Sequence, residues 1–272
     1  MNFSLPQNKK IYFASDLHLM MTSDEADRRR ERDFIKWLDS IKADAAAIFL
    51  LGDMFDFWFE YRYVVPRGFV RLLGKFAELT DSGISIHYFT GNHDQWMKNY
   101  LSSEMNVTVY NKPEEFEING KLFFVGHGND FGLEGFVYHL LHYLFGNRFL
   151  RVLYASLHPR WGIFLGKNWS MSHSKRFGHI KPFDGHEKEL IFNNIQKKLL
   201  EKHYDFFVFG HRHLAMDLEL NENSRYINTG EWLETQSYAV FDGKNIRLYS
   251  AKENKFCCSS ENIMLSLPTL FL

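Results

Sequence analysis

Five short segments of this 272-residue chain carry the residue types that hold metal ions: Asp16-Leu17-His18, Gly52-Asp53, Gly91-Asn92-His93-Asp94, Gly126-His127 and Gly210-His211-Arg212-His213. Together they offer imidazoles, carboxylates and one amide, the donor set of a two-metal centre for phosphate-ester chemistry. Two divalent ions about 3.5–4 Å apart need a bridging ligand, and a carboxylate is the simplest bridge. Asp53 is the candidate. Asp16 and His18 stand two residues apart, so on an extended backbone they project to one side and can grip a single ion. His211 and His213 repeat that spacing. No thiolate is among the donors, which favours Mn, Fe or Zn over a soft-metal site. Taken singly, a Gly-Asp or Gly-His after a strand is ordinary turn chemistry. Five in register are hard to obtain by chance.

Each motif closes an apolar run that reads as a strand: residues 11–14, 45–51, 84–90, 121–125 and 206–209. The carboxyl ends of such strands are where open α/β sheets bind ligands. Residues 24–41 place Phe34, Ile35, Trp37, Leu38 and Ile41 at helical spacing, and residues 69–80 and 187–202 read as further helices. Beyond the last motif, residues 216–220, 224–228, 237–241 and 245–249 read as mostly antiparallel strands, with Asp242-Gly243 as a hairpin turn. The expected architecture is a two-sheet sandwich with helices outside.

Residues 131–175 break this pattern. They are dense in large apolar side chains, among them Phe145, Trp161 and Trp169, and their charges are mainly basic: Arg148, Arg151, Arg160 and Lys167. The longest uncharged run, residues 135–147, is 13 residues long, short of the roughly 20 that a membrane span needs. One reading is an ordinary buried helical hairpin. The preferred one is a helical cap over the metal site, apolar within and basic at its margin, suited to acyl chains and anionic lipid headgroups.

Net charge is −1, so the whole-chain balance shows no footprint for nucleic acid. The two cysteines, Cys257 and Cys258, are adjacent, which is no disulfide framework and fits a reducing compartment. Residues 1–10 lack the apolar core of a signal peptide, so a cytoplasmic catalytic domain is expected. Of thirteen histidines, five sit in the motifs; His87 and His203 are read as structural or surface residues.

The order and spelling of the motifs resemble the calcineurin-like metallophosphoesterase superfamily. Ser15-Asp16-Leu17-His18-Leu19, Gly52-Asp53-Met54-Phe55-Asp56-Phe57-Trp58, the apolar stretch after Gly126-His127-Gly128 and the late Thr229-Gly230-Glu231-Trp232 look like the UDP-2,3-diacylglucosamine diphosphatase family of lipid A biosynthesis. The likeness spans residues 10–250. The best-known members carry Arg where this chain has His93.

The resemblance implies a four-layer αββα metallophosphoesterase sandwich with an inserted helical cap. Residues 1–130 and 176–252 would form the catalytic body, 131–175 the cap and 253–272 a C-terminal tail. Asp16, His18, Asp53 and His213 would hold one ion, and Asn92, His127, His211 and the shared Asp53 the other, with manganese the first choice and iron or zinc the alternatives. His93 is then free of metal duty. An imidazole titrates near neutrality, so it can donate a proton or stabilise charge on a phosphoryl oxygen. Asp94 is expected to orient His93, and Asp56 to accept from a ligand histidine. Asn92, Lys175 and Arg176 are the candidate substrate contacts, the basic pair on the second phosphate.

The implied substrate is the lipid-linked nucleotide sugar UDP-2,3-diacylglucosamine, cleaved to 2,3-diacylglucosamine 1-phosphate and UMP by a peripheral enzyme at the inner membrane. A phosphodiesterase, phosphatase or nuclease on the same scaffold stays open, as does a binding scaffold without catalysis. The scaffold reading sits poorly with seven ligand positions that all hold competent residues.

Overall fold

The computed structural model describes residues 2–21, 24–132, 147–177, 185, 189–253 and 255–256. Side chains are described for all of these except residues 2, 3, 130, 132, 148, 169–177, 255 and 256. In chain order the first half contains β1 (Asn2–Phe3), β2 (Lys10–Ala14), α1 (Glu25–Ile41), β3 (Ala45–Leu50), α2 (Val70–Asp81), β4 (Ser85–Phe89), α3 (Tyr100–Met105), β5 (Thr108–Tyr110), β6 (Glu114–Ile118), β7 (Lys121–Val125) and α4 (Asn129–Gly132). The second half adds α5 (Arg148–Ser156), α6 (Pro159–Phe177), α7 (Leu190–Glu201), β8 (Phe206–Phe209), β9 (Ala215–Asn221), β10 (Ser224–Thr229), β11 (Ser237–Phe241), β12 (Ile246–Ser250) and β13 (Lys255–Phe256).

Local chemistry explains the elements that frame the site. The α1 helix starts where the Asp24 carboxylate accepts from Ala26 N, and Glu25 and Asp27 lie at the positive end of its dipole. Its buried face of Phe34, Trp37, Leu38 and Ile41 follows the helical period. β3, with sequence AAAIFL, is almost wholly buried, as suits a parallel strand flanked on both sides and covered on both faces. The Asp242-Gly243 turn closes as expected: Asp242 N donates to Asn245 O, and the Asp242 carboxylate accepts from Lys244 N and Asn245 N. β5, β6 and α3 lay outside the sequence reading. In β6 only Phe116 and Ile118 are buried and the three glutamates between and before them face outward, a short alternation next to Pro113 that carries little signal.

Among the described residues the strands form two sheets. One has the order β1-β6-β7-β8-β10-β9, the other β13-β12-β11-β2-β3-β4-β5. β2, β3, β4 and β5 run parallel in the second sheet, and β7, β8 and β10 run parallel in the first. Apolar side chains gather in three clusters, and each cluster is an interface between layers. Phe13, Phe49, Phe123 and Val208 meet between the sheets. Phe34, Leu72, Tyr88 and Leu101 join α1, α2 and α3 to the seven-stranded sheet. Ile191, Ile195, Phe207 and Tyr226 join α7 to the six-stranded one. Three interfaces make four layers, αββα. His87 belongs to the inter-sheet layer, stacked on Phe49 with ring centroids 4.5 Å apart; burial pushes its pKa down to about 4, so it packs as a neutral ring.

The helices α5 and α6 lie in the stretch expected to be a cap, and α6 continues to Phe177. Phe145 lies outside the described residues. Along α6, Gly162 and Gly166 face the loop that follows β3. A Cβ on Gly166 would fall inside the Phe57 ring, and one on Gly162 would meet the Tyr61 hydroxyl. Two missing side chains one turn apart let the helix backbone rest on these rings. On the outside, Phe149, Val152, Leu153, Trp161, Phe164 and Leu165 are exposed. Among the described residues no helix is long and apolar enough to cross a membrane.

Candidate metal centre

The five motifs converge because β2, β3 and β4 of one sheet and β7 and β8 of the other end at the same edge of the sandwich. Backbone hydrogen bonds tie the loops together: Asp16 N donates to Gly52 O at 3.1 Å, His18 N to Asp53 O at 2.9 Å and Gly210 N to His127 O at 2.9 Å. Asp16, His18, Asp53, His211 and His213 all take φ between 46° and 68°, the left-handed region that non-glycine residues rarely enter. In this conformation successive side chains can be turned toward one point. Gly91 supplies room at that point, since a Cβ there would collide with the Asp53 carboxylate.

Among the described residues two donor groups match the expected pair of ions, and His18, Asp56 and His93 come together as a third. In the first, Asp16 Oδ1 lies 3.1 Å from His213 Nε2 and 3.7 Å from His18 Nε2, and the two Nε2 atoms are 3.1 Å apart. In the second, His127 Nε2 lies 3.3 Å from Asp53 Oδ2, 3.2 Å from Asn92 Oδ1 and 3.2 Å from His211 Nδ1. Asp53 Oδ2 also lies 3.9 Å from His18 Nε2, so this one oxygen faces both groups, as a bridge must. Asp53 Oδ1 is held by His93 N at 2.9 Å.

The residues fit a pair of divalent cations on two observations. Asp16 Oδ1 is buried without a hydrogen bond, although its other oxygen accepts from Ser15 Oγ and from His211 N at 2.9 Å. A buried acceptor left open while it faces two imidazole nitrogens is what a cation would complete. Second, His127 Nδ1 donates to Leu51 O at 2.7 Å, which fixes the tautomer and leaves Nε2 as a lone-pair donor aimed at Asp53 and Asn92.

Electrostatics carry the same message. Burial works to raise the Asp16 carboxyl, but the charge of His213 and the close approach of the His18 ring outweigh it and hold it well below the ordinary range. Asp53 is likewise held low against its burial by His127 and His93. In the other direction, burial disfavours charge on His18 and His127, yet Asp16 and Asp56 push His18 up to about 10 and Asp53 pushes His127 up to about 9. His211 is pushed down to about 3 by burial and by the neighbouring His127. The pocket is built to hold positive charge.

His93 stands beside this pair. Its Nδ1 donates to Asp56 O at 3.0 Å and lies 3.4 Å from Asp56 Oδ1, and its ring meets His18 edge-on at 4.9 Å. Asp56 Oδ1 is also 3.4 Å from His18 Nδ1, so this carboxylate sits behind both rings. Asp94 is placed differently from expectation. Its carboxylate turns back into its own loop, accepting from Gly91 N at 2.7 Å, Met54 N at 3.1 Å and the Tyr88 hydroxyl. Burial and the Asp53 charge push its pKa up to about 6. It braces the Asn92–His93 turn, while Asp56 takes the position next to His93. Lys175 and Arg176 fall on α6, but their side chains are outside the described residues.

A cavity of about 190 Å³ opens from Asn92 and His93 toward α6. Phe57, Trp58, Gln95, Trp96, Tyr154, Leu165 and Gly166 complete its wall. Trp96 and Gln95 were not singled out from sequence, and Tyr154 was read only as one apolar residue of the expected cap. The Gly162-x-x-x-Gly166 spacing was the available signal, because small residues one turn apart mark a close helix contact.

The model of the calcineurin-like phosphoesterase family matches residues 9–215. The chain belongs to that family. It is a metal-dependent hydrolase. A UDP-2,3-diacylglucosamine hydrolase from Porphyromonas gingivalis is 41% identical over 257 residues, which cover 90% of this chain and 98% of that protein. A protein of the same name from Psychromonas ingrahamii is 24% identical, covering 88% of this chain and 96% of its own length. The αββα layers and the family agree.

Proposed function

We propose that this phosphoesterase hydrolyses the phosphoanhydride of UDP-2,3-diacylglucosamine, giving 2,3-diacylglucosamine 1-phosphate and UMP. The observation that carries the reading is the cavity that runs from Asn92 and His93 beneath α6, walled mostly by aromatic and aliphatic side chains. A phosphoryl group at the metal centre would have an apolar slot beside it, which a small polar nucleotide does not need. The relative at 41% identity, named a UDP-2,3-diacylglucosamine hydrolase, supports the same substrate.

Asp16, His18, Asp53 and His213 would hold one divalent ion, and Asp53, Asn92, His127 and His211 the other. Manganese is the first candidate, with iron and zinc next, since nitrogen and oxygen donors suit all three. When bound, such a pair supplies a nucleophile at neutral pH and neutralises charge on phosphoryl oxygens. The protein's own part is orientation. Leu51 O and Asp56 hold the His127 and His18 rings at angles where their Nε2 atoms converge. His93, fixed through Nδ1, presents its opposite edge to a phosphoryl or leaving oxygen, where a ring protonated on both nitrogens would donate. Asn92 would contact both metal and substrate, and Lys175 and Arg176 the second phosphate.

We divide the chain into a catalytic body of residues 1–130 and 176–252, a cap of 131–175 and a tail of 253–272. The cap would take the acyl chains on its inner side and rest against the inner membrane with its outer one, so that the enzyme works at the cytoplasmic surface. The exposed Phe149, Trp161 and Phe164 beside Arg151 and Arg160 support that placement. The deciding experiment offers the metal-loaded protein UDP-2,3-diacylglucosamine and bis-p-nitrophenyl phosphate in parallel and identifies the products. UMP and the acylated sugar phosphate are expected. Turnover of the phosphodiester with none of the lipid would reassign the enzyme to a different phosphoester.

A further inference from the structure

We propose that residues 61–74, the turn after the Asp53 loop and the start of α2, form a second lipid-contact element that meets anionic headgroups alongside α6. The inference rests on the reading of α5 and α6 as a lipid-facing cap, and it extends the contact to a part of the catalytic body.

Three observations carry it. The turn exposes apolar side chains where packing does not require it: Tyr63 is 84% exposed and Val70 79%, with Val64 also open. Single exposed apolar residues are normal, but these three share one short segment. Tyr61 N donates to Val64 O at 3.0 Å, which tightens the turn and leaves Tyr63 at its tip.

The charge within the segment has one sign. Residues 61–74 contain Arg62, Arg67 and Arg71 and no acidic residue, in a chain whose net charge is −1. All three arginines are exposed, and the Arg62 guanidinium lies 5.2 Å over the Tyr63 ring. Glu31, which Arg71 faces, is buried and accepts from Leu72 N at 3.2 Å, so its charge is turned inward.

The turn also adjoins the cap. Tyr61 abuts Gly162 of α6, and α6 exposes Trp161, Phe164 and Leu165 together with Arg160. Residues 147–177 are likewise free of acidic side chains. An aromatic tip under one guanidinium, with two more exposed arginines in the same segment, matches a bilayer interface, where Tyr sits at headgroup depth and Arg pairs with lipid phosphate. An acidic protein surface would satisfy the arginines but not the Tyr63, Val64 and Val70 side chains.

The test is sedimentation of the full-length protein with vesicles of phosphatidylglycerol and phosphatidylethanolamine in equal parts, compared with phosphatidylcholine vesicles. Two turn variants, Tyr63→Ser with Val70→Ser and Arg62→Glu with Arg67→Glu, are set beside a cap variant, Trp161→Ser with Phe164→Ser. Each turn variant should lower partitioning onto the anionic vesicles by about tenfold at low salt, with melting temperature and bis-p-nitrophenyl phosphate turnover unchanged. Wild-type partitioning by both turn variants, with loss only in the cap variant, would overturn the inference and leave the cap reading standing. Equal binding to phosphatidylcholine would overturn the headgroup claim, and no vesicle binding by the wild type would overturn both. The substrate reading is scored separately, by product formation in detergent.

Discussion

Around Asp53 nearly every donor atom is buried and held: His127 by Leu51 O, Asp16 by Ser15 and His211 N, Asp53 by His93 N. On α5 and α6 the largest apolar side chains, Phe149, Trp161 and Phe164, face outward instead. The first region holds its polar side chains in place from within. The second leaves large apolar side chains in the open. In the proposed reading the difference separates chemistry from selection, because ligands fixed by backbone and buried partners can serve any phosphoester, whereas the cap would decide which one arrives.

That division can be broken most severely at the bridge. Asp53→Ala should bring activity to background and lower metal content below two ions per chain, read by elemental analysis beside turnover. Full activity of this variant, or of chelator-treated protein, would remove the two-metal reading. His93→Ala should cut turnover by about 10²–10⁴-fold while both ions stay bound. Loss of metal along with activity would make His93 a ligand.

On the cap side, Leu165→Ala trims the cavity wall. At about 0.8 kcal/mol per buried methylene, it should raise the KM for diacylated substrate by one to two orders of magnitude and leave bis-p-nitrophenyl phosphate turnover in place. A matching fall for both substrates, together with a lower melting temperature, would make the helix ordinary core.

The smallest effect concerns the body alone. The pKa of His87 falls from an ordinary value near 6.5 to about 4 on folding, so between those values the unfolded chain binds the extra proton. Stability is therefore complete above about pH 6.5 and declines as pH falls toward 4, by about 3 kcal/mol for this one group. Melting curves of His87→Phe should show a shallower decline over that window than the wild type. Identical pH dependence would mean that the ring is hydrated in the native state.

The sequence made the candidate metal loops legible because the proposed ligand set is written in residue identity. Asp16, His18, Asn92 and His213 need only the strands before them to be recognised, and those strands are apolar runs of ordinary length. Their support was harder to read. Asp94 adjoins His93 in the chain, yet a tight turn sends its carboxylate back to Gly91 N, while Asp56 reaches His93 from another loop. Sequence adjacency says little about which way a side chain leaves a turn. The cavity was less legible still, since Trp96 and Tyr154 come from segments with no shared pattern and meet only through the seat that Gly162 and Gly166 give α6. β6 was hidden by its glutamates, which mask two inward-facing apolar residues.

The left-handed backbone of Asp16, His18, Asp53, His211 and His213 has a bearing on engineering. Each such residue carries strain of about 1–3 kcal/mol, and glycine would release it. At these positions glycine would trade that strain against the buried hydrogen bonds and ion pairs the side chains make, and against the larger entropy glycine loses on folding. A thermostability search guided by backbone conformation alone would single out the residues proposed to hold the metals. Selection has to be run on turnover, or with these five codons held fixed.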